Sequence, residues 1–216
     1  LLALGRGPVV SVLVMQGRIH FYEGYTIQEA TFPIRVLQAL GVERLIVTNA
    51  AGGLETLWTP GDIMLIRDHI NMPGMSGNNP LMGPNDPELG LRFPPMEHAY
   101  SPRLRALAQE VARAEGLDLR EGVYVMVSGP SFETAAELRF LKQIGGHAVG
   151  MSTAPEVVVA RHAGIEVLGI SLITNIARLD PAPDELTSHE EVLETGASAA
   201  PRLIRLIEGV LSRLAE

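Results

Sequence analysis

The sequence predicts an α/β fold with a mainly parallel or mixed central sheet flanked by helices. Two observations carry this. Short apolar runs recur along the chain and alternate with segments of helical periodicity. Those runs are nearly continuous in apolar residues rather than alternating, as strands covered on both faces require. A third observation sets the organisation: the 216 residues show no internal repeat and no linker, which predicts one domain over 1–216.

The elements follow in order. Val9 to Met15 is an apolar run broken only by Ser11 and reads as a buried strand. Thr26 to Leu40 reads as a helix, with Thr26 and Glu29 at capping-box spacing; Pro33 is expected to kink or shorten it. Arg44 to Thr48 and Asp62 to Arg67 are the next strands. Ser101-Pro102 opens a helix that Gly116 stops. Val123 to Val127 is a strand, Thr134 to Ile144 a helix, Ala148 to Met151 a short strand and Pro155 to Ala163 a helix. Val167 to Ile173 is the last strand. Ser188 to Leu214 is helical, with Ser188 and Glu191 at capping-box spacing and Pro201 placed to break it in two. Asn71 to Pro95 is rich in Gly, Pro and Asn without periodicity, and a loop of that length is usually functional or a subunit contact.

Composition narrows the function. The chain is 46% hydrophobic and 19% charged, the balance of a globular core rather than of disorder. A net charge of −8 with no basic run argues against nucleic acid as the partner. With no cysteine there is no thiol nucleophile, disulfide or thiolate metal site, and a reducing, cytoplasmic setting is expected. No run of about 18 apolar residues points to a membrane. The chain opens on Leu1-Leu2 without an initiator Met, so upstream residues are expected to be missing.

In open α/β sheets ligands bind beyond the carboxyl ends of the strands. Five strand ends here carry small or polar residues: Arg18, His20 and Tyr22; Asn49 to Gly53; Ser128 to Glu133; Met151 to Thr153; and Thr174-Asn175. Arg18 offers a planar fork for two phosphate oxygens, or else pairs with a carboxylate. Asn49-Ala50-Ala51-Gly52-Gly53 lets backbone N–H groups approach an oxyanion, or simply makes a tight turn. Glu133 suits a ligand N–H or a helix start. Asn175 brings a donor and an acceptor, as a heterocycle needs, or serves a turn. His189 follows Ser188 at a helix start. Gly129-Pro130-Ser131-Phe132-Glu133 lacks the second glycine of a nucleophile elbow, and His189-Glu190-Glu191-Val192-Leu193 lacks the second histidine of a zinc helix. No Walker loop or dinucleotide fingerprint is present. What remains is an anion pocket beside a neutral polar pocket, with positioning and electrostatics as its means of catalysis and no metal or organic cofactor.

Five stretches together resemble the purine nucleoside phosphorylases of the homotrimeric, 6-oxopurine-preferring type. They are Gly17 to Tyr25, Thr48 to Gly53, Gly61 to Asn71, Gly129 to Thr134 and Val149 to Thr153. The resemblance implies a mixed, partly barrel-like sheet and a reaction between a purine nucleoside and phosphate, the phosphate being a co-substrate. It implies Arg18, His20, the Ala50 N–H and Ser152 as phosphate ligands. Tyr22 and Met151 would touch the ribose, His189 its 5′-hydroxyl, and Phe93 would reach a neighbouring subunit's site. Phe132 would stack on the base, Glu133 and Asn175 would hydrogen-bond it, and Val149 and Thr174 would line its pocket. Asn175, Glu133, His20 and His189 would carry catalysis through an oxocarbenium-like transition state. There the Asn175 amide would stabilise charge growing on the departing purine.

Asn175 and His189 both point to inosine and guanosine; Asp at 175 would favour 6-aminopurines, as in the related methylthioadenosine phosphorylases. The family's Gly-Ser-Gly phosphate loop and a further phosphate-side histidine are expected upstream of Leu1. Methylthioadenosine phosphorolysis and a catalytically inactive nucleoside-binding fragment are the alternative readings.

Overall fold

The computed structural model describes residues 2–6, 11–180, 182 and 188–214. The chain runs β1 (Leu2–Arg6), β2 (Ser11–Met15), α1 (Ile27–Ala39), β3 (Arg44–Gly53), β4 (Ile63–Asn71), the one-turn α2 (Met72–Met75) and α3 (Pro102–Glu115). It continues through β5 (Leu119–Met126), α4 (Ala135–Gln143), β6 (Ala148–Gly150), α5 (Ala154–His162), β7 (Glu166–Ile176) and α6 (His189–Arg213).

Five strands close into a barrel in the order β3-β6-β5-β4-β7. β3 and β7 run parallel; so do β4, β5 and β6. The two groups meet antiparallel at β3–β6 and β4–β7. The sheet is therefore mixed, and its strands do not all end at one edge. At β3–β6 the two groups pair Gly52 with Val149 and Gly53 with Ala148. A bulge between Ala51 and Gly52 bends β3 there, against β7.

Helices cover the barrel. Leu104, Ala108, Leu206 and Val210 of α3 and α6 are buried with Ile63, Leu65, Leu168 and Ile170 of the strands. Each of the Leu, Ile and Val side chains among them contributes about 1.5–3 kcal/mol on burial. The α1 face made by Ile34 and Leu37 joins a second cluster with Val157 and Ala160 of α5.

Several boundaries differ from expectation. The capping box forms: the Thr26 hydroxyl accepts the Glu29 N–H at 3.2 Å and the Glu29 carboxylate accepts the Thr26 N–H at 2.8 Å. Pro33 does not shorten α1, which continues to Ala39. The loss of one backbone bond, about 3 kcal/mol, is offset by the buried face on either side. Pro201 likewise lies inside an unbroken α6. Ser188 caps that helix by accepting the Glu190 N–H, not through the expected box with Glu191. Gly116 ends α3 as expected, in the left-handed region at φ 64. The expected buried strand at 9–15 is described only from Ser11. Among the described residues it pairs only with β1, outside the barrel, and it leaves Val14 half exposed. Val9 lies outside the described residues.

Candidate active site

Arg18, His20 and Tyr22 stand on the segment that follows β2. An extended run would place all three on one side through their two-residue spacing. Instead Phe21–Glu23 forms a single 3₁₀ turn. The turn stacks the His20 and Tyr22 rings, with centroids 4.7 Å apart and planes 16° from parallel. His20 Nδ1 lies 3.1 Å from Glu23 Oε1, which fixes the ring from behind. Burial, then the nearby Glu23 charge, raises the Tyr22 hydroxyl above its ordinary pKa, so it is a donor at neutral pH.

Asn49 to Gly53 are not a turn after β3; they are its second half. The bulge turns this stretch towards β6, and its small side chains leave the backbone accessible. Beyond β5, Gly129 sits at φ 66, where an added Cβ would collide with the Met151 sulfur. That close approach packs Gly129 to Glu133 over the end of β6.

These segments enclose a cavity of about 220 Å³. Its walls include Arg18, His20, Tyr22, Ala50, Phe132, Glu133, Val149, Met151, Ser152, Thr174 and Asn175. Eleven of the thirteen residues expected from sequence therefore meet at one place. Phe93 and His189 do not line it. Phe93 is 84% exposed, with the Arg92 guanidinium 5.6 Å above its ring. His189 is exposed at the first turn of α6, and Val192, one turn on, faces the cavity. A larger cavity of about 400 Å³ lies between the segment after β2 and α1. Only Gln16 and Arg18 among its lining residues carry polar side chains, so it lacks the converging polar groups of a reaction site.

One end of the smaller cavity is built for an anion. Arg18 donates from Nη1 to the Thr48 carbonyl at 2.9 Å, and its Nε lies 2.8 Å from the Glu156 carboxylate. The two anchors lie on different edges of the guanidinium, and the Nε contact is an ion pair rather than an aligned hydrogen bond. Ser152 N–H donates to the Tyr124 hydroxyl at 3.3 Å, and Ser152 Oγ is 3.1 Å from Thr153 Oγ1. Tyr124 is fully buried, which pushes its pKa up to about 12, so its oxygen stays a neutral acceptor.

The other end suits a heterocycle. The Thr174 hydroxyl donates to Asn175 Oδ1 at 3.2 Å. That bond, its proton shared with the Ala51 carbonyl at 3.4 Å, takes one lone pair of the amide oxygen and leaves Nδ2 as a donor. Across the cavity, burial raises the Glu133 pKa; its own backbone N–H opposes this and the like charge of Glu137 adds to it. The folded chain thus holds the Glu133 proton more tightly than the unfolded chain does. Stability from this group is greatest below the ordinary carboxyl value and is lost as pH rises through the raised one.

Glu156 and Tyr124 escaped the sequence reading, and Asn49 and Thr153 entered it only as members of strand-end stretches, without a side-chain role of their own. Thr153 and Glu156 stand at the same Thr-x-x-Glu spacing that marks α1, and that signal was there to be used. Among the described residues no group of three or more His, Asp or Glu is placed to hold a metal, and no helix is long and apolar enough to cross a membrane.

The profile of the phosphorylase superfamily matches residues 3–212. Purine nucleoside phosphorylase 1 of Geobacillus stearothermophilus is 53% identical over all of this chain and 77% of its own length. The Bos taurus purine nucleoside phosphorylase is 52% identical over 94% of this chain and 71% of its own. Crystal structures of the Schistosoma mansoni enzyme with inosine and with adenosine superpose with TM-scores of 0.92 and 0.93. Both are 48% identical and cover 95% of this chain, and 74% and 75% of theirs.

Proposed function

The chain belongs to the phosphorylase superfamily and cleaves purine nucleosides with inorganic phosphate, and we propose that the 220 Å³ cavity is where it does so. The observation that carries the assignment is the pairing of an anion end, Arg18 with Ser152, and a heterocycle end, Glu133 with Asn175, across one small space. Tyr22 and Met151 line the same space, and we place the ribose against them. A nucleoside set this way has its glycosidic bond midway, with phosphate on the face opposite the base.

The mechanism follows from those positions. The bond to the purine stretches first, leaving positive charge on the ribose and negative charge on the base. Asn175 Nδ2, freed by the Thr174 contact, donates to the base where that charge grows. Glu133 accepts from the N1–H of a 6-oxopurine. His20, Arg18, Ser152 and the Ala50 N–H hold the phosphate that captures the ribose cation. Preorganised donors of this kind act most strongly in a site closed to water. His189 would serve the 5′-hydroxyl, which requires the start of α6 to turn towards the cavity.

Phosphate-dependent release of hypoxanthine from inosine tests the reading directly. Faster cleavage of methylthioadenosine would overturn the role given to Asn175. Nucleoside binding with no turnover would mark a binding protein.

The Glu133 reading has a pH signature. Its protonated form accepts from N1–H more weakly, having lost the charge that strengthens the bond. The kcat/KM for inosine should fall on the acid side, beginning above the pH at which an ordinary glutamate, near 4.3, takes up its proton. Glu133→Gln should abolish that acid limb; an unchanged limb would assign it to another group.

We also read the assembly as a homotrimer and the setting as cytoplasmic. Met75, Met82, Leu91 and Phe93 are all exposed on the segment after β4, an apolar concentration that fits a subunit contact. Phe93→Ala should raise the KM for inosine roughly tenfold, as loss of a buried interface aromatic does, and leave phosphate binding unchanged. An unaltered KM would remove Phe93 from any site.

A further inference from the structure

Three elements of the anion end are joined by one side chain that touches the cavity nowhere: Glu156. It is the third residue of α5 and only 8% exposed. Its Oε2 lies 2.8 Å from Arg18 Nε and accepts the Thr153 N–H at 3.1 Å. One oxygen thus binds the cation from the segment after β2 and the turn after β6.

That turn is strained. Thr153 has φ 76 and ψ −55, a conformation that β-branched residues avoid. The Ala154 N–H donates to the Ser152 carbonyl at 2.9 Å, which closes a three-residue γ-turn. Such a residue persists only where its surroundings over-determine it. Here Thr153 is 1% exposed, and its hydroxyl meets Asn49 Nδ2 at 3.0 Å and Ser152 Oγ at 3.1 Å. The γ-turn aims Ser152, and Glu156 holds the γ-turn.

A carboxylate beside an anion site is at first sight a defect, since it offsets the charge of Arg18. Its geometry supplies the reason. With Nε on Glu156 and Nη1 on Thr48, Arg18 is turned so that Nη2 has no protein partner among the described residues. We propose that Glu156 is a positioning residue for phosphate, fixing Arg18 and the Ser152–Thr153 turn in one register. This rests on the phosphorolysis reading.

The contacts separate reach from charge. Glu156→Gln keeps an oxygen of the same reach, able to accept the Thr153 N–H and to lie against Arg18 Nε, and loses the charge. Glu156→Asp keeps the charge but falls one methylene short. For a positioning role, the KM for phosphate should rise about tenfold or more in the Asp variant, since a misplacement near 1 Å is costly. It should rise at most a few-fold in the Gln variant. The KM for inosine should change little in either.

The reverse pattern, with Gln impaired and Asp spared, would show that the charge matters rather than the position. Equal losses for both substrates in both variants would reduce Glu156 to a general structural residue. Stabilisation of the folded chain by inorganic phosphate alone, read as a melting shift, should follow the same Asp-below-Gln order. That second measurement needs no turnover. If the unaltered chain binds phosphate but cleaves no nucleoside, the function reading fails while the order of the variants still tests Glu156.

Discussion

Asn175→Ala should lower kcat for inosine phosphorolysis by about 10²–10³-fold, the usual cost of removing one preorganised donor from a developing anion. The size follows from timing. In the ground state the purine is neutral and gains little from one more amide donor. In the transition state it carries the electron pair of the broken bond. An interaction made mainly there appears in kcat rather than in KM. The Thr174 hydroxyl donates to Asn175 Oδ1 and so leaves Nδ2 as a donor before substrate arrives. Single-turnover kinetics would check the claim: a slow chemical step with near-normal nucleoside affinity is expected. Asn175→Asp should instead shift preference towards adenosine, since a carboxylate accepts from a 6-amino group and repels a 6-oxo group. No shift in the inosine-to-adenosine ratio would mean that residue 175 does not touch the base.

Arg18→Met should cost about 10²-fold in kcat/KM for phosphate, the scale of one or two charge-assisted hydrogen bonds at roughly 1.5–3 kcal/mol each. It should also destabilise the fold. The Arg18 and Glu156 side chains are 20% and 11% exposed, and removing the cation leaves a largely buried carboxylate unpaired. Breaking such a pair costs about 3 kcal/mol. The two effects separate in a double variant. Adding Glu156→Gln to Arg18→Met should recover much of the lost melting temperature and none of the phosphate affinity. Recovery of both would deny Arg18 contact with phosphate. Recovery of neither would deny the ion pair its weight.

Local signals in the sequence were read well where local physics decides. Thr26 with Glu29, Ser101-Pro102 and Gly116 each fixed a helix end, because caps and left-handed stops depend on the few residues that make them. The prolines misled for the opposite reason. Whether Pro33 or Pro201 breaks a helix depends on what the helix buries, and Ile34, Leu37, Leu206 and Val210 bury enough. The mixed barrel was legible only through resemblance, since an apolar run carries no record of the direction of its neighbour. In the same way Asn49 to Gly53 looked like a turn because small residues serve both turns and close strand crossings. The cavity residues were legible because chemistry concentrates in a few side-chain types. Glu156 was not, because it acts behind the cavity and its partner, Arg18, stands 138 positions away in the chain.

Closure of the barrel has one more consequence. A sheet with free margins can splay, but β3, β6, β5, β4 and β7 form a ring in which each strand is bonded on both sides. Ala50, Val149, Thr174 and Asn175 are therefore parts of one stiff hoop. Substrate entry and product escape fall to what stands outside it: the 3₁₀ turn bearing Tyr22, the span from Gly129 to Glu133, and the beginning of α6.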